Sequence, residues 1–227
     1  RFPNQGQSHP LRYLAGLARA IVKHGGTIHT RTHADEIHGG SPCRVKTSKG
    51  HTIAADAVVV ATNSPVSDYV VTHVKQAPYR TFVIAGRVPN GSVPKALYWD
   101  TPDPYHYVRL QHVRSGNGTE GRDVLIVGGE DHKTGQKDDA VERFRCLEEW
   151  TRERFPMLET VEYRWSGQVL EPMDYMALIG PQPGDAENVY LATGDSGQGM
   201  THGTIAGILL TDLIVGRKNE WAKLYDP

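Results

Sequence analysis

The sequence predicts a mixed α/β fold: an α/β domain built from both ends of the chain, with an antiparallel-sheet domain inserted between them. Three observations carry this. An amphipathic helix and a β-branched apolar run open the chain. Short strand-like segments separated by turn residues fill the middle. A strand, a glycine turn and a helix close it.

The elements follow in order. Pro10 sits at a helix start, and Leu11, Leu14, Leu17, Ala18, Ile21 and Val22 recur at helical spacing up to Gly25-Gly26. Strands are expected over residues 27–32 and onward through Ile37. Residues 45–48 and 51–53 flank Lys49-Gly50 as a hairpin. Residues 57–61 form a continuous apolar run, expected to be a strand buried on both faces as in a parallel sheet. Thr62-Asn63-Ser64-Pro65 ends it as a loop.

Residues 79–87, 96–99, 105–110 and 123–127 read as short antiparallel strands, with Asn90-Gly91 and residues 115–118 as the strongest turns. One helix interrupts them: Val141, Phe144, Leu147, Trp150, Thr151 and Phe155 share a face, and Pro156 closes it. Residues 163–170 are a further strand candidate. Residues 188–192 form a last short strand, which turns through 194–199 into a helix over 201–215, with Gly216 just past its end. The expected domains are residues 1–77 with 165–227, and residues 78–164.

Composition narrows the function classes. The 227 residues are 38% hydrophobic and 22% charged, with a net charge of −1 when His is neutral. Bulk charge therefore draws the chain neither to nucleic acid nor to an acidic membrane. No apolar run approaches the ~20 residues of a membrane helix. Two distant cysteines, Cys43 and Cys146, make no disulfide framework and no paired-cysteine metal motif, so a cytoplasmic compartment is expected. His29 and His33 lie four apart on an expected strand, with no third ligand, so no metal site is expected.

The most informative stretch is Thr193-Gly194-Asp195-Ser196-Gly197-Gln198-Gly199-Met200-Thr201-His202-Gly203. Glycines let a ligand approach the backbone, and the helix start offers unpaired N–H groups and a positive dipole end. Several readings compete. A dinucleotide fingerprint should open a βαβ unit, and this turn closes the chain instead. A hydrolase nucleophile turn would use Ser196 with His202 as base, but Gln198 replaces the required glycine. A helix N-terminus facing a flavin would stabilise the negative charge of the reduced ring. A plain loop ahead of a packing helix is the fourth reading.

Several segments taken together carry a resemblance. They are residues 9–18 (HPLRYLAGLA), Gly25-Gly26-Thr27-Ile28, residues 52–63 (TIAADAVVVATN), Trp165-Ser166-Gly167, Asp174, Ile179-Gly180 and residues 188–194 (NVYLATG). In this order they resemble the D-amino acid oxidase-like family of FAD-dependent oxidoreductases, which includes glycine and sarcosine oxidases. The resemblance implies an FAD-binding-type domain interleaved with an antiparallel substrate domain, and hydride transfer from a small-molecule C–H, such as that of an amine, to flavin N5.

It also implies roles for residues. Ala34 corresponds to the backbone position that reads the adenine. Ala61, Thr62 and Asn63 correspond to a segment near the phosphates and ribose. Gly194, Gly197, Gln198, Gly199, Met200 and Thr201 correspond to the turn at the flavin ring and ribityl chain. Gln198 and His202 are the catalytic candidates, and Tyr105, Tyr107 and Arg109 the substrate-binding ones.

Two departures are visible. The family's phosphate-binding glycine turn has no counterpart ahead of the first helix, so the expected FAD site is incomplete in this chain and a missing N-terminal segment is an expected partner. A fragment that keeps the fold without bound FAD is the alternative. The arginine that amino-acid oxidases of the family place after Trp-x-Gly is absent, and Glu171 stands nearby. The tail over residues 219–227 resembles a branch that continues into a Rieske-type electron-transfer domain.

Overall fold

The computed structural model describes residues 2–4, 6–67, 70–114, 121–184 and 186–227. The turn expected at 115–118 lies outside them. In chain order the first elements are α1 (Pro10–Lys23), β1 (Ala34–His38), β2 (Cys43–Thr47), β3 (Thr52–Ala55), β4 (Val58–Val60), α2 (Val70–Val74) and β5 (Gln76–Val88). Then come β6 (Leu97–Trp99), β7 (His106–Val113), β8 (Arg122–Lys133), α3 (Ala140–Arg154) and β9 (Val161–Pro172). The chain closes with β10 (Leu178–Pro181), β11 (Val189–Thr193) and α4 (Gly199–Ile214). They form two compact units, residues 1–77 with 170–227 and residues 78–169.

In the first unit α1 starts where Pro10 allows, and the His9 ring nitrogen accepts from Arg12 N–H at 3.4 Å. It stops at Gly25, whose φ of +84° turns the chain so that Gly26 N–H reaches the Ile21 carbonyl at 2.9 Å. The apolar stripe read from the sequence is present, but no α1 residue is buried among the described residues. The strand expected at residues 27–32 does not form, and regular strand begins at Ala34. The cause is the lack of a ladder: β-branched residues favour extended backbone, but only a hydrogen-bonded neighbour makes it a strand.

The first three strands form an antiparallel sheet in the order β1-β2-β3. A second sheet has the order β10-β11-β4, with β11 parallel to β4 and antiparallel to β10. This sheet joins the two ends of the chain. The run over 57–61 is not buried on both faces: Val60 is 2% exposed and Val59 43%. Strand β4 is the sheet edge, and Val58 and Val60 pack on Cys43, Leu178, Val189 and Leu191 while Val59 points the other way. Helix α4 covers the sheet through Ala206, Leu209 and Leu210, which pack on Ala177, Ile179 and Tyr225.

The second unit holds a five-stranded sheet in the order β6-β7-β8-β5-β9. Alternation sends Phe82, Ile84, Val108, Leu110, Leu125 and Val127 to one face, where Leu147, Phe144 and Trp150 of α3 close the core. The β5–β8 register shifts between Arg80 and Phe82, where Gly129 (φ +153°) and Glu130 (φ +57°) take up the irregularity.

That irregularity accompanies a buried polar cluster. His106 Nδ1 lies 2.9 Å from Asp100 and Nε2 3.2 Å from Glu130, and Arg143 reaches Glu130 at 3.3 Å. The His106 ring stacks on Trp150 with centroids 4.2 Å apart.

Burial raises the Asp100 pKa, but hydrogen bonds from the His106 backbone and ring outweigh it and hold the carboxyl below its usual 3.8. A depressed folded pKa contributes stability above the unfolded value, and that stability is lost as pH falls through the folded one. Asp100→Asn is expected to flatten the stability-versus-pH curve below about pH 4, read from urea midpoints at a series of pH values. An unchanged slope would contradict this coupling.

Candidate functional site

Parallel pairing sets β4 and β11 side by side in the same direction, with Val60 opposite Leu191. Their C-terminal ends therefore release two neighbouring loops, residues 61–63 and 194–198. A crevice outside the carboxyl ends of parallel strands is where α/β sheets bind ligands. Here the loops are tied together: Thr193 Oγ1 donates to the Asn63 carbonyl at 2.5 Å, and Gln76 Nε2 donates to Thr193 Oγ1 at 3.3 Å. Asn63 takes a φ of +61°, and Thr62 Oγ1 donates to the Ser64 carbonyl at 2.8 Å. Ala34 opens β1 in the other sheet, paired with Thr47. Among the described residues no hydrogen bond joins it to either loop.

The glycine turn is braced from behind by the end of β9. Gly194 has a φ of +70°, and a Cβ there would lie 2.7 Å from Pro172 Cγ and 2.9 Å from Gln76 Oε1. Ser196 N–H donates to the Leu170 carbonyl at 3.1 Å, and Ser196 Oγ donates to Glu171 at 2.7 Å. The Asp195 carboxylate stays local, accepting from Gly197 N–H at 3.4 Å.

The outer side of the turn is bare. Gly197, Gln198, Gly199, Met200 and Thr201 are all exposed. A Cβ at Gly197, Gly203 or Gly207 would meet nothing within 4 Å. The N–H groups of Gly199 and Met200 open α4 and have no helical carbonyl four residues back. Gly197 leaves its backbone open to a flat ring, whereas at Gly199 the Asp195 carboxylate lies 2.5 Å from where a Cβ would sit and covers that face.

The two catalytic candidates separate. Gln198 is exposed at the helix cap. His202 is 9% exposed, its Nδ1 bonds the Asp195 carbonyl at 2.9 Å, and its ring meets Tyr225 edge-on. It staples the turn from within. The hydrolase reading has no support: Ser196 is bonded to Glu171 and His202 to a backbone carbonyl, so these two form no serine–histidine couple.

In the second unit Tyr107 and Arg109 alternate with the core-facing His106, Val108 and Leu110, so both leave the sheet away from α3. Tyr105 joins them, its ring 6.2 Å from Tyr107 and stacked at 5.3 Å on Trp99. Burial pushes the Tyr107 hydroxyl pKa up, and that hydroxyl lies 3.3 Å from Thr81 Oγ1. Arg109 donates to Gln111 at 3.2 Å. Trp99, 73% exposed, was not singled out in the sequence, because its place opposite Tyr107 depends on strand register. Glu171 was noted only as a charge, and Gln76 carried no motif. Among the described residues no helix is long and apolar enough to cross a membrane.

Comparisons with known proteins agree on one family. The family model described as FAD dependent oxidoreductase matches residues 1–213. YhfW of Bacillus subtilis (strain 168), named as a Rieske 2Fe-2S iron–sulfur protein, is 29% identical over 225 residues, covering 99% of this chain and 43% of YhfW. Gamma-glutamylputrescine oxidoreductase of Escherichia coli (strain K12) is 29% identical over 216 residues, covering 93% of this chain and 48% of that protein. The chain thus spans about half the length of these curated relatives. The crystal structure of glycine oxidase from Geobacillus kaustophilus shares the fold, with a TM-score of 0.70 at 19% identity over 93% of this chain and 56% of that one.

Proposed function

This chain belongs to the family of FAD-dependent oxidoreductases, and from that premise we propose that it supplies the flavin-ring end of an FAD site in an enzyme that oxidises an amine. The observation that carries the reading is the open glycine backbone at the start of α4, tied through Thr193 and Asn63 to the loop after β4. Bound FAD supplies the acceptor for a hydride leaving the carbon next to nitrogen. Gly197 would admit the ring, and the N–H groups at the start of α4 would stabilise negative charge on it, with the Asp195 carboxylate beside Gly199 acting against them. Gln198, exposed at the helix cap, would be placed to hydrogen-bond its edge. Residues 61–63 serve the ribose and phosphates, and Ala34 the adenine. The first unit is thereby the FAD-binding-type part, and the second the substrate-type part with Tyr105, Tyr107 and Arg109.

The amine class rests on the relatives' names: glutamylputrescine and glycine both carry amino nitrogen. Glu171, bonded to Ser196, favours an amine over an amino-acid carboxylate near the turn. YhfW's name supports a Rieske-type domain as electron-transfer partner.

Two measurements test this. Incubated with FAD and the family's N-terminal phosphate-binding segment and then desalted, the protein should keep the absorption bands of oxidised flavin and lose them when an amine such as γ-glutamylputrescine is added without oxygen. A protein that stays colourless even with the N-terminal phosphate-binding segment supplied overturns the reading. Met200→Glu sets a carboxylate on an exposed position in the first turn of α4, where the fold tolerates it. At an effective dielectric of ~20 a carboxylate there would cost a reduced ring on the order of 2 kcal/mol. The flavin midpoint potential is expected to fall by roughly 40 mV for the two-electron couple. An unchanged potential would place the ring elsewhere.

A further inference from the structure

We propose that residues 219–227 act as a clamp on the glycine turn: the Tyr225 ring holds His202, and the His202 ring holds the Asp195 carbonyl, so that seating of this tail sets the shape of the turn. His202 and Tyr225 are thereby positioning residues. Their value to a flavin rests on the reading above, whereas the clamp itself does not.

The turn needs holding. Ser196 takes a φ of +49° and Gly197 one of +73°, two left-handed residues in succession. Serine carries a Cβ, so this conformation costs it free energy, and such residues persist only where the surroundings over-determine them. The peptide group between Asp195 and Ser196 is fixed at both ends. Its carbonyl accepts from Gln198 N–H at 2.8 Å and from His202 Nδ1 at 2.9 Å, and its N–H donates to the Leu170 carbonyl at 3.1 Å. A carbonyl only accepts, so His202 Nδ1 carries a proton.

The tail fixes His202 in turn. The buried His202 ring meets Tyr225 with centroids 6.0 Å apart and planes at 73°, the edge-to-face arrangement that aromatic rings favour. Tyr225 is itself buried, in one cluster with Ile179, Ala206 and Leu209. The tail is tied down on either side of that ring. Where it leaves α4, Asp212 accepts from Arg217 at 2.7 Å and from Asn219 at 2.8 Å. Tyr225 N–H donates to the Trp221 carbonyl at 3.1 Å, and the Tyr225 carbonyl accepts from Ile179 N–H of β10 at 2.7 Å. Past Tyr225 the tail crosses Gly180, where a Cβ would lie 2.8 Å from Pro227 Cδ. Unseating the tail therefore frees the His202 ring and the Asp195–Ser196 peptide without altering any residue on the exposed side of the turn.

The test follows amide hydrogen exchange at Ser196 and Gln198 in the whole protein by NMR, with the amides of β7 and β8 in the other unit as the internal reference. Tyr225→Ala is expected to speed exchange at both turn amides about tenfold, the worth of one hydrogen bond, while β7 and β8 stay as they were. Tyr225→Phe keeps the ring and should restore the protection. His202→Phe leaves a ring against Tyr225 but removes the donor to Asp195, and should speed exchange at the same two amides. Turn amides that stay protected in both Tyr225→Ala and His202→Phe overturn the clamp, as does exchange that rises equally in β7 and β8. Retention of FAD, with the N-terminal phosphate-binding segment supplied, should weaken in Tyr225→Ala and return in Tyr225→Phe. Freed turn amides with undiminished FAD retention would place the flavin away from the turn, which sinks the flavin reading and leaves the clamp standing.

Discussion

Gly194→Val is expected to destabilise the protein by about 2–5 kcal/mol, the sum of two costs. A β-branched residue at φ +70° is held in the left-handed region, at about 1–2 kcal/mol. Its Cβ must also displace Pro172 or Gln76, which stand 2.7 and 2.9 Å from where that atom would sit. Pro172 is the end of a strand and cannot swing aside, so overpacking adds about 1–3 kcal/mol. Urea unfolding should show a lower midpoint at unchanged slope. The damage is not confined to stability. Moving Gly194 away from Pro172 pulls on the Ser196–Glu171 and Thr193–Asn63 hydrogen bonds, which hold the two loops of the proposed flavin site. Retention of FAD after desalting should therefore fall with the midpoint. A loss under about 1 kcal/mol would mean that the turn relaxes more freely than the packing at Pro172 allows.

His106→Phe is expected to cost about 3–5 kcal/mol, by a different route. Phenylalanine keeps a ring against Trp150 and so preserves most of the apolar contact. It removes both ring nitrogens, leaving Asp100 and Glu130 facing an apolar group, with Glu130 supported by Arg143. Breaking a buried charged cluster from its centre strands the remaining charges, and their desolvation is then uncompensated. The second change that separates this cause from lost packing is Glu130→Gln in the same chain. If stranded charge is the cause, the double variant should recover part of the loss. A double variant whose losses simply add would assign the effect to shape instead.

These two sites differ in how far the sequence reveals them. The turn at Gly194 was legible, because glycine spacing after a short apolar strand and before a helix is a local signal. So were the limits of α1 and α3, where Pro10, Gly25 and Pro156 act within a few residues of the helix end they define. The resemblance to a flavin family rested on ordered segments of the same kind, and the family match over residues 1–213 bears it out. The buried cluster around His106 was not legible. Its partners lie 6 and 24 residues away, and Glu130 reaches it from beside a register shift that no composition rule announces.

The strand expected at 27–32 shows the opposite error. Thr27, Ile28, Thr30 and Thr32 have the right propensity, but propensity specifies extended backbone and not a neighbour. Val59 fails for a related reason. A run of valines declares an apolar strand, while burial of the second face depends on what lies across it.

By itself the sequence determined most of the elements, though not α2 or β10, together with the two glycine-bearing ends of helices, the glycine turn before α4 and the family to which they belong. The tertiary structure decided which of these meet. It set β4 beside β11, so that Thr193 bonds to Asn63 across 130 residues, and it turned His202 inward while leaving Gln198 outside. It also set the Tyr225 ring against His202. The physical reason is that periodicity of 3.6 or 2 reports which face of an element is apolar, but it contains no information on partner or register. Those follow only when the packed chain selects one long-range pairing among many of similar local quality.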